Sequence, residues 1–281
     1  MEVMSNNTTL VLGATGKTGR RVAARLRLHG VPVRAASRSS ETAFNWSEPD
    51  GWDAALQGVS AVYVVPPSVP GPVHQFVARA EAAGVQRLVL LSGRGSDTWG
   101  DSTFGLDMRS AEEAVRQSSL EWTVLRPNNF YQNFDEELFH APVVAGSLAL
   151  PAGEVPEPFI DIEDVADVAA KVLLEPGRHT GQVYELTGPR SITFAEAVDL
   201  ISRAAGRPVT YQQISTSEYI AALVEDGFTA EDAHHLADMY VMMARGLLAD
   251  TTEGVAAVLG REPRTFEDYV LRTAVKGTWD R

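Results

Sequence analysis

Three glycines, Gly13, Gly16 and Gly19, stand three residues apart in TTLVLGATGKTGRRVAARL (residues 8–26), between an apolar run and a basic, alanine-rich stretch. A triplet of this kind does chemistry in one setting, directly after a buried strand and at the mouth of a helix. There the first glycine permits the tight turn, the second lets a pyrophosphate approach the backbone, and the third lets the helix pack on the strand. The phosphates then meet the positive end of the helix. Both flanks are present. TLVLGA is continuous and apolar, as a strand buried on both faces is, and a helical pattern over about 17–29 places Val22, Ala23 and Leu26 on one face. A Walker-type loop does not fit, because Lys17-Thr18 precedes the last glycine. At the end of the second strand the chain reads Ala36-Ser37-Arg38-Ser39-Ser40. No carboxylate stands there to hold a ribose 2′-hydroxyl, whereas Arg38 can pair with a 2′-phosphate and stack on adenine, so NADP(H) is favoured over NAD(H).

The usual partner chemistry of such a site is missing. A Tyr-x-x-x-Lys pair, in which the lysine lowers the tyrosine's pKa so that it protonates an alkoxide, cannot be assembled. The three lysines are Lys17, Lys171 and Lys276, and none lies four residues after a tyrosine. Hydride addition to a quinone suffers least from this, since it yields a phenolate-like anion whose conjugate acid has a pKa of about 10. Asn129, Phe130 and Tyr131 follow a strand end where aromatic rings stack on a flat substrate, with core packing as the competing role for Phe130 and, to a lesser degree, for Tyr131, whose hydroxyl needs a partner. Asp161, Glu163 and Asp164 stand just before a helix, where acids cap free N–H groups. His234 and His235 diverge on a helix and do not make the i, i+4 pair a metal wants, and His140 reads as a loop histidine. No metal site is expected.

These residues need a scaffold that alternates strands and crossover helices. Strands are expected at 8–14, 31–37, 59–65, 86–92 and 121–126, with helices near 50–57, 71–83 and 106–118 between them. That pattern predicts an α/β fold with a doubly wound parallel sheet, a Rossmann domain. Order returns with a helix over 163–174 and a strand over 182–187, and Thr193 with Glu196 and Thr265 with Asp268 announce further helices. The expected division is a flexible lead (1–7), a dinucleotide-binding domain (8–158) whose proline- and aromatic-rich segment 127–158 forms a lid or lines the substrate site, and a mixed α/β completion with a small, mostly helical substrate lobe (159–281). The 281 residues carry a formal net charge of −13, which argues against nucleic acid. Residues 1–40 nevertheless hold seven basic residues and one acid, read either as a solvated helix face or as a local field for a polyanion. Without cysteine there is no disulfide or thiolate zinc site, and no apolar run reaches the roughly 18–20 residues of a membrane span. A cytoplasmic protein, with the helical part able to support a homodimer, is the expectation.

The segments LVLGATGKTGR, FNW (44–46), GVSAVYVVPP, RLVLLSGRG, EWTVLRPNNFYQNF, FIDIEDVADVAAKVL and VYELTGP resemble the NmrA-like group of atypical short-chain dehydrogenases/reductases. The resemblance runs in register over about residues 8–190 and more loosely at LGREPRTFEDYV. That group includes NAD(P)H:quinone oxidoreductases, triphenylmethane-dye reductases and NADP-sensing regulators. It implies that Gly13, Thr15, Gly16, Lys17, Thr18 and Gly19 hold the pyrophosphate, that Arg38 holds the adenosine phosphate, and that Asn45 and Trp46 lie near the adenine. Pro66, Ser92, Pro127, Asn128 and Asn129 would line the nicotinamide side. Many members carry a histidine or lysine where Met108 or Arg109 stands here, which leaves the general acid unassigned. The expected activity is NADPH-dependent hydride transfer to a quinone or planar aromatic, polyketide-like substrate, with Ser92, Asn129 and Tyr131 as candidates for polarising the acceptor oxygen. A non-catalytic NADP(H) sensor that binds a protein partner and a nicotinamide-dependent oxygenation of an aromatic polyketide are the alternatives.

Overall fold

The computed structural model describes residues 7–98 and 105–280, so all of the expected lead except Asn7 lies outside the described residues. The chain runs β1 (Thr8–Leu12), α1 (Lys17–Leu28), β2 (Val33–Ser37), β3 (Thr42–Ala43), α2 (Trp52–Leu56), β4 (Val59–Val64), α3 (Pro72–Ala82), β5 (Arg87–Leu91), α4 (Leu106–Arg116) and β6 (Glu121–Pro127). It continues through α5 (His140–Ala145), β7 (Ser147–Leu150), α6 (Ile162–Leu174), β8 (Gln182–Leu186), α7 (Phe194–Ala204) and β9 (Thr210–Gln213). Four helices follow, α8 (Thr216–Glu225), α9 (Ala230–Met243), α10 (Gly254–Leu259) and α11 (Phe266–Val275).

Seven strands pair in the order β3-β2-β1-β4-β5-β6-β8, every neighbour parallel. The five early strands of the apolar pattern are all present, and β3 is an addition too short to leave a pattern. The chain leaves β1 toward β2 on one side and resumes at β4 on the other. This reversal opens a crevice at the carboxyl ends of β1 and β4, where open α/β sheets bind ligands. Alternation explains the layering. Leu10 and Leu12 face a core made with Phe44, Trp52, Phe76 and Ala111, whereas Val11 faces one made with Val22, Leu26, Val165 and Val255. Among the described residues no helix is long and apolar enough to cross a membrane.

Residues 127–158 divide between the wall of a cavity and a hydrophobic core. Phe134 and Phe139 lie in the core of a second lobe with Phe159, Phe194, Tyr240, Phe266 and Trp279. They project from a 3-10 turn, Tyr131–Phe134, and from the residue before α5, which is why no helical period shows. β7, from the same segment, pairs in parallel with β9. The lobe therefore draws on both sides of the expected boundary at residue 158. Trp279 closes it, fully buried, with its indole N–H donating to the carbonyl of Phe134 at 2.9 Å.

The basic cluster near residue 20 is neither a free face nor an open field. Arg21 Nε and Arg25 Nη2 each sit 2.6 Å from the carboxylate of Glu163, Arg25 also pairs with Asp167, and Arg20 and Arg21 pair with Glu136. This seam joins α1 to α6 and to the lobe. Burial would raise the Glu163 carboxyl, but hydrogen bonds from Arg25 and Arg21 outweigh it and hold the group below the usual carboxylate range. The expected caps form. The side chains of Asp161, Thr193 and Thr265 accept from the backbone N–H groups of Glu163, Glu196 and Asp268. Asp164 does more, since it is wholly buried and accepts from Arg261 Nη2 and the Arg264 N–H, both at 2.7 Å, pinning the segment before α11.

Candidate functional site

The glycine turn forms because β1 ends in the sheet interior and α1 must start within four residues. Gly13 takes φ +62°, which side chains other than glycine resist, and its carbonyl accepts from the Gly16 N–H at 2.8 Å. A Cβ on Gly19 would stand 2.3 Å from the Gly13 oxygen, so the helix lies directly against the turn. At Gly16 a Cβ would come within 3.2 Å of the same atom. The N-terminus of α1 has no side-chain cap and no acid in its first turn. By contrast α6, α7, α8, α9 and α11 are each capped by a side chain and each carries an acid there. A close-approach glycine cradle below an acid-free helix N-terminus fits a pyrophosphate.

Two cavities flank this turn. One, of about 480 Å³, brings together Gly13, Thr15, Gly16, Arg38, Asn45 and Trp46, and also Pro66, which was expected on the nicotinamide side but follows β4 into this cavity with Val65. Its lining holds no carboxylate, and among the described residues Arg38 is its one cation. Trp46 is a fixed wall, its indole N–H bonded to the Val65 carbonyl at 3.0 Å and its ring edge-on to Phe44, Trp52 and Phe76. The Asn45 amide is engaged within its own turn, donating to Glu48 at 2.8 Å. Thr18 and Gly19 line neither cavity; both are buried beneath the turn, where Gly19 serves packing.

The other cavity, of about 370 Å³, is lined by Lys17, Ser92, Met108, Pro127, Asn128, Asn129 and Phe130, with Glu157 and, from α9, Met239 and Met243. Lys17 reaches away from the glycine turn. Its ammonium contacts Asn133 Oδ1 at 2.9 Å and Glu137 Oε2 at 2.8 Å, and lies over the Phe130 ring. Ser92 Oγ donates to Glu112 at 2.6 Å, and this buried carboxylate also accepts from Ser96 Oγ and from two nitrogens of Arg126. Burial opposes ionisation of Glu112, but the Arg126, Ser92 and Ser96 bonds prevail and hold its pKa down. The Ser92 proton is thereby committed, so this hydroxyl presents lone pairs, not a donor, to the cavity. Met108 is the α4 residue that lines the cavity. Its sulfur would lie 2.6 Å from a Cβ on Gly93, and a thioether donates no proton.

Tyr131 is placed elsewhere than expected. Past Asn129 the 3-10 turn sends Phe130 to the cavity and Tyr131 into the lobe core, against Phe266 and Tyr269. Its hydroxyl donates to the Arg264 carbonyl at 3.0 Å, and burial pushes its pKa well up. It cannot polarise an acceptor in the cavity. His140 meets the Thr278 carbonyl, and neither it nor His234 and His235 on α9 lines either cavity. Among the described residues no cluster of three His, Asp or Glu side chains is placed to hold a metal.

The sequence reading missed two features of this cavity. The methionines of α9 were signalled only by their i, i+4 spacing in a helix not assigned to the site. Glu157 left no local signal at all. It is 2% exposed and accepts from Asn128 Nδ2 at 2.8 Å and Asn129 Nδ2 at 3.4 Å. Burial raises its carboxyl to about 7, and the two amides and the nearby charge of Arg94 offset this only in part.

The chain is similar to known proteins over nearly its whole length. An oxidoreductase of Bacillus subtilis is 33% identical over 98% of both chains, and the NAD(P)H azoreductase of Xenophilus azovorans is 32% identical over 92% of this chain and 96% of its own. Among solved structures, the NADPH-dependent quinone oxidoreductase of Escherichia coli, in complex with NADPH, superimposes with a TM-score of 0.80 at 26% identity, covering 94% of this chain and 99% of that one. The sequence pattern that defines the NmrA-like family matches residues 5–270, and the chain belongs to that family.

Proposed function

We propose that this protein is an NADPH-dependent reductase that passes hydride directly to a planar acceptor such as a quinone or a polyketide-like aromatic. One observation carries the reading. Gly16 and Lys17, adjacent in the chain, belong to two different cavities, so a dinucleotide laid across the turn has its adenosine end in one and its nicotinamide in the other. Arg38 supplies the charge that a 2′-phosphate needs. NADPH, when bound, supplies the hydride. The residues of the second cavity contribute position. Phe130, Met108, Met239 and Met243 offer flat and deformable apolar surface that holds an aromatic acceptor against the nicotinamide side and excludes water. The azoreductase and the quinone oxidoreductase, named for acceptors of this shape, support the substrate class.

The test is NADPH oxidation by the purified protein, with NADH as control, over quinones, azo dyes and polycyclic aromatic ketones, with and without oxygen. Turnover in the absence of oxygen is the expected result. Turnover that requires oxygen would replace reduction with oxygenation, and tight NADPH binding without turnover on any acceptor would identify a sensor.

A further inference from the structure

Reduction by hydride leaves the acceptor one proton short, and the groups expected to provide it are unavailable. Tyr131 faces the lobe core, the Ser92 hydrogen is held by Glu112, and the amides of Asn128 and Asn129 donate to Glu157. Of the two cations in the lining, Lys17 is tied to Asn133 and Glu137. Arg94 is tied to Glu185 and to the carbonyls of Leu248 and Asp250. The lining has two carboxyls, and they differ. Glu137 is half-exposed and salt-bridged to Lys17. Glu157 is buried among amides and apolar side chains.

We infer that Glu157 is the proton donor of the reduction, a neutral carboxylic acid at the cavity wall that delivers its proton to the acceptor as hydride arrives. This inference rests on the reductase reading above. The geometry suits the role in three respects. Both asparagine amides converge on Oε2, and neither engages Oε1, which is left to carry the proton. The backbone is fixed, because Glu157 and Ile192 exchange N–H···O bonds in both directions, at 2.8 and 3.0 Å. The charged groups facing it from other elements are each occupied: Arg94 after β5 by Glu185, and Lys17 on α1 by Glu137. α9 presents only methionine thioethers there.

The step balances. The acceptor gains a hydride from reduced nicotinamide and a proton from Oε1; the O–H bond of Glu157 breaks as an O–H or N–H bond forms on the product. The Glu157 carboxylate, held by the two amide donors, regains a proton from water, and a bound nicotinamide would account for the hydride and carry the positive charge. Asn128 and Asn129 act as positioning residues, since their bonds orient the carboxyl and steady its anion.

The experiment compares wild type, Glu157→Gln and Glu157→Asp on two acceptors with NADPH. One acceptor is a quinone whose reduced form is a stabilised phenolate, and the other is an azo dye whose reduced nitrogen must take a proton. Glu157→Gln is expected to lower kcat on the azo dye by about 10²-fold or more, and on the quinone by much less. Wild-type kcat should fall as pH rises through about 7, where the carboxyl ionises, and this limb should vanish in Glu157→Gln and persist, at reduced rate, in Glu157→Asp. NADPH dissociation constants, read by nucleotide fluorescence, should agree within about twofold among the three, as for a residue that serves the proton and not the hydride donor. An undiminished kcat in Glu157→Gln, or an alkaline limb that survives in it, overturns the assignment. If wild type binds NADPH but reduces neither acceptor, the reductase reading itself fails and this inference falls with it.

Discussion

Replacing Glu157 by glutamine should change how stability depends on pH, and this effect can be measured without any substrate. In the unfolded chain the carboxyl ionises near its ordinary value of 4.5, whereas in the folded protein burial holds it protonated up to about 7. The sign follows from this order. Below pH 4.5 both states carry the proton and folding is unaffected. Between 4.5 and 7 the unfolded state releases it freely while the folded state cannot, so stability falls as pH rises, then levels off above 7. The gap of about 2.5 pH units, at about 1.4 kcal/mol each, corresponds to about 3 kcal/mol across the full window. Glutamine has no such window. The side chain is 2% exposed, so solvent screening does little to reduce the effect. Asp135 and Asp161 also have raised pKa values, but they are common to both proteins and cancel in the comparison. Over pH 5 to pH 8 about 2.5 kcal/mol of this falls, and in thermal scans of the nucleotide-free proteins the variant should gain on wild type by about 4–5 °C. A difference in Tm that stays constant over this range would refute the buried neutral carboxyl.

Arg38→Ala should raise the NADPH dissociation constant about 10- to 100-fold, the worth of one charge-assisted phosphate contact, and leave NADH within about twofold by calorimetric titration; equal losses would remove the 2′-phosphate assignment. Gly19→Ala should destabilise the fold by about 1–3 kcal/mol and weaken NADPH together, because the added Cβ would stand 2.3 Å from the Gly13 carbonyl oxygen, a backbone atom that cannot swing aside as a flexible side chain would. Unchanged Tm and affinity would show that α1 can slide away from the turn. Asp164→Ala should cost on the order of 3 kcal/mol, since it strips a buried carboxylate from Arg261 and Arg264, whose guanidiniums reach water and are partly rehydrated. Limited proteolysis should then cut first between residues 261 and 280, and protection equal to wild type would place the anchor elsewhere.

What was legible in the sequence follows from the range of the forces involved. The parallel strands were readable because burial on both faces makes each a continuous apolar run. The glycine turn was readable because its tightest constraints, the Gly13 conformation and the approach of Gly19 to the Gly13 oxygen, lie within a dozen residues. Arg38 could be found by counting from that turn. The ion-pair seam could not, because the partners of Arg21 and Arg25 lie more than 110 residues away and nothing local ties one charge to another. Tyr131 was misjudged for a related reason. Whether a residue after a strand faces cleft or core is decided by one 3-10 turn, which leaves no pattern. Glu157 is one acid among 37 Asp and Glu residues, distinguished only by the amides of Asn128 and Asn129 and the strand-like bridge to Ile192, all supplied by distant chain. α8 is the opposite case, since Ser215 and Glu218 spell a complete capping box that was present to be read.

The burial of Trp279 against Phe134 bears on how the protein is made. A ribosome that has released Phe134 must add 145 more residues before the indole that covers it arrives, which at about 5–20 residues per second takes roughly 7–30 s. During that interval the sheet strands β1 to β6 have all emerged and can pair, while Phe134, Phe139 and Phe159 wait without Phe194, Phe266 or Trp279 to enclose them. The nascent chain thus carries a nearly finished nucleotide half and an uncovered aromatic patch. That patch is where premature association of neighbouring chains on a polysome would begin.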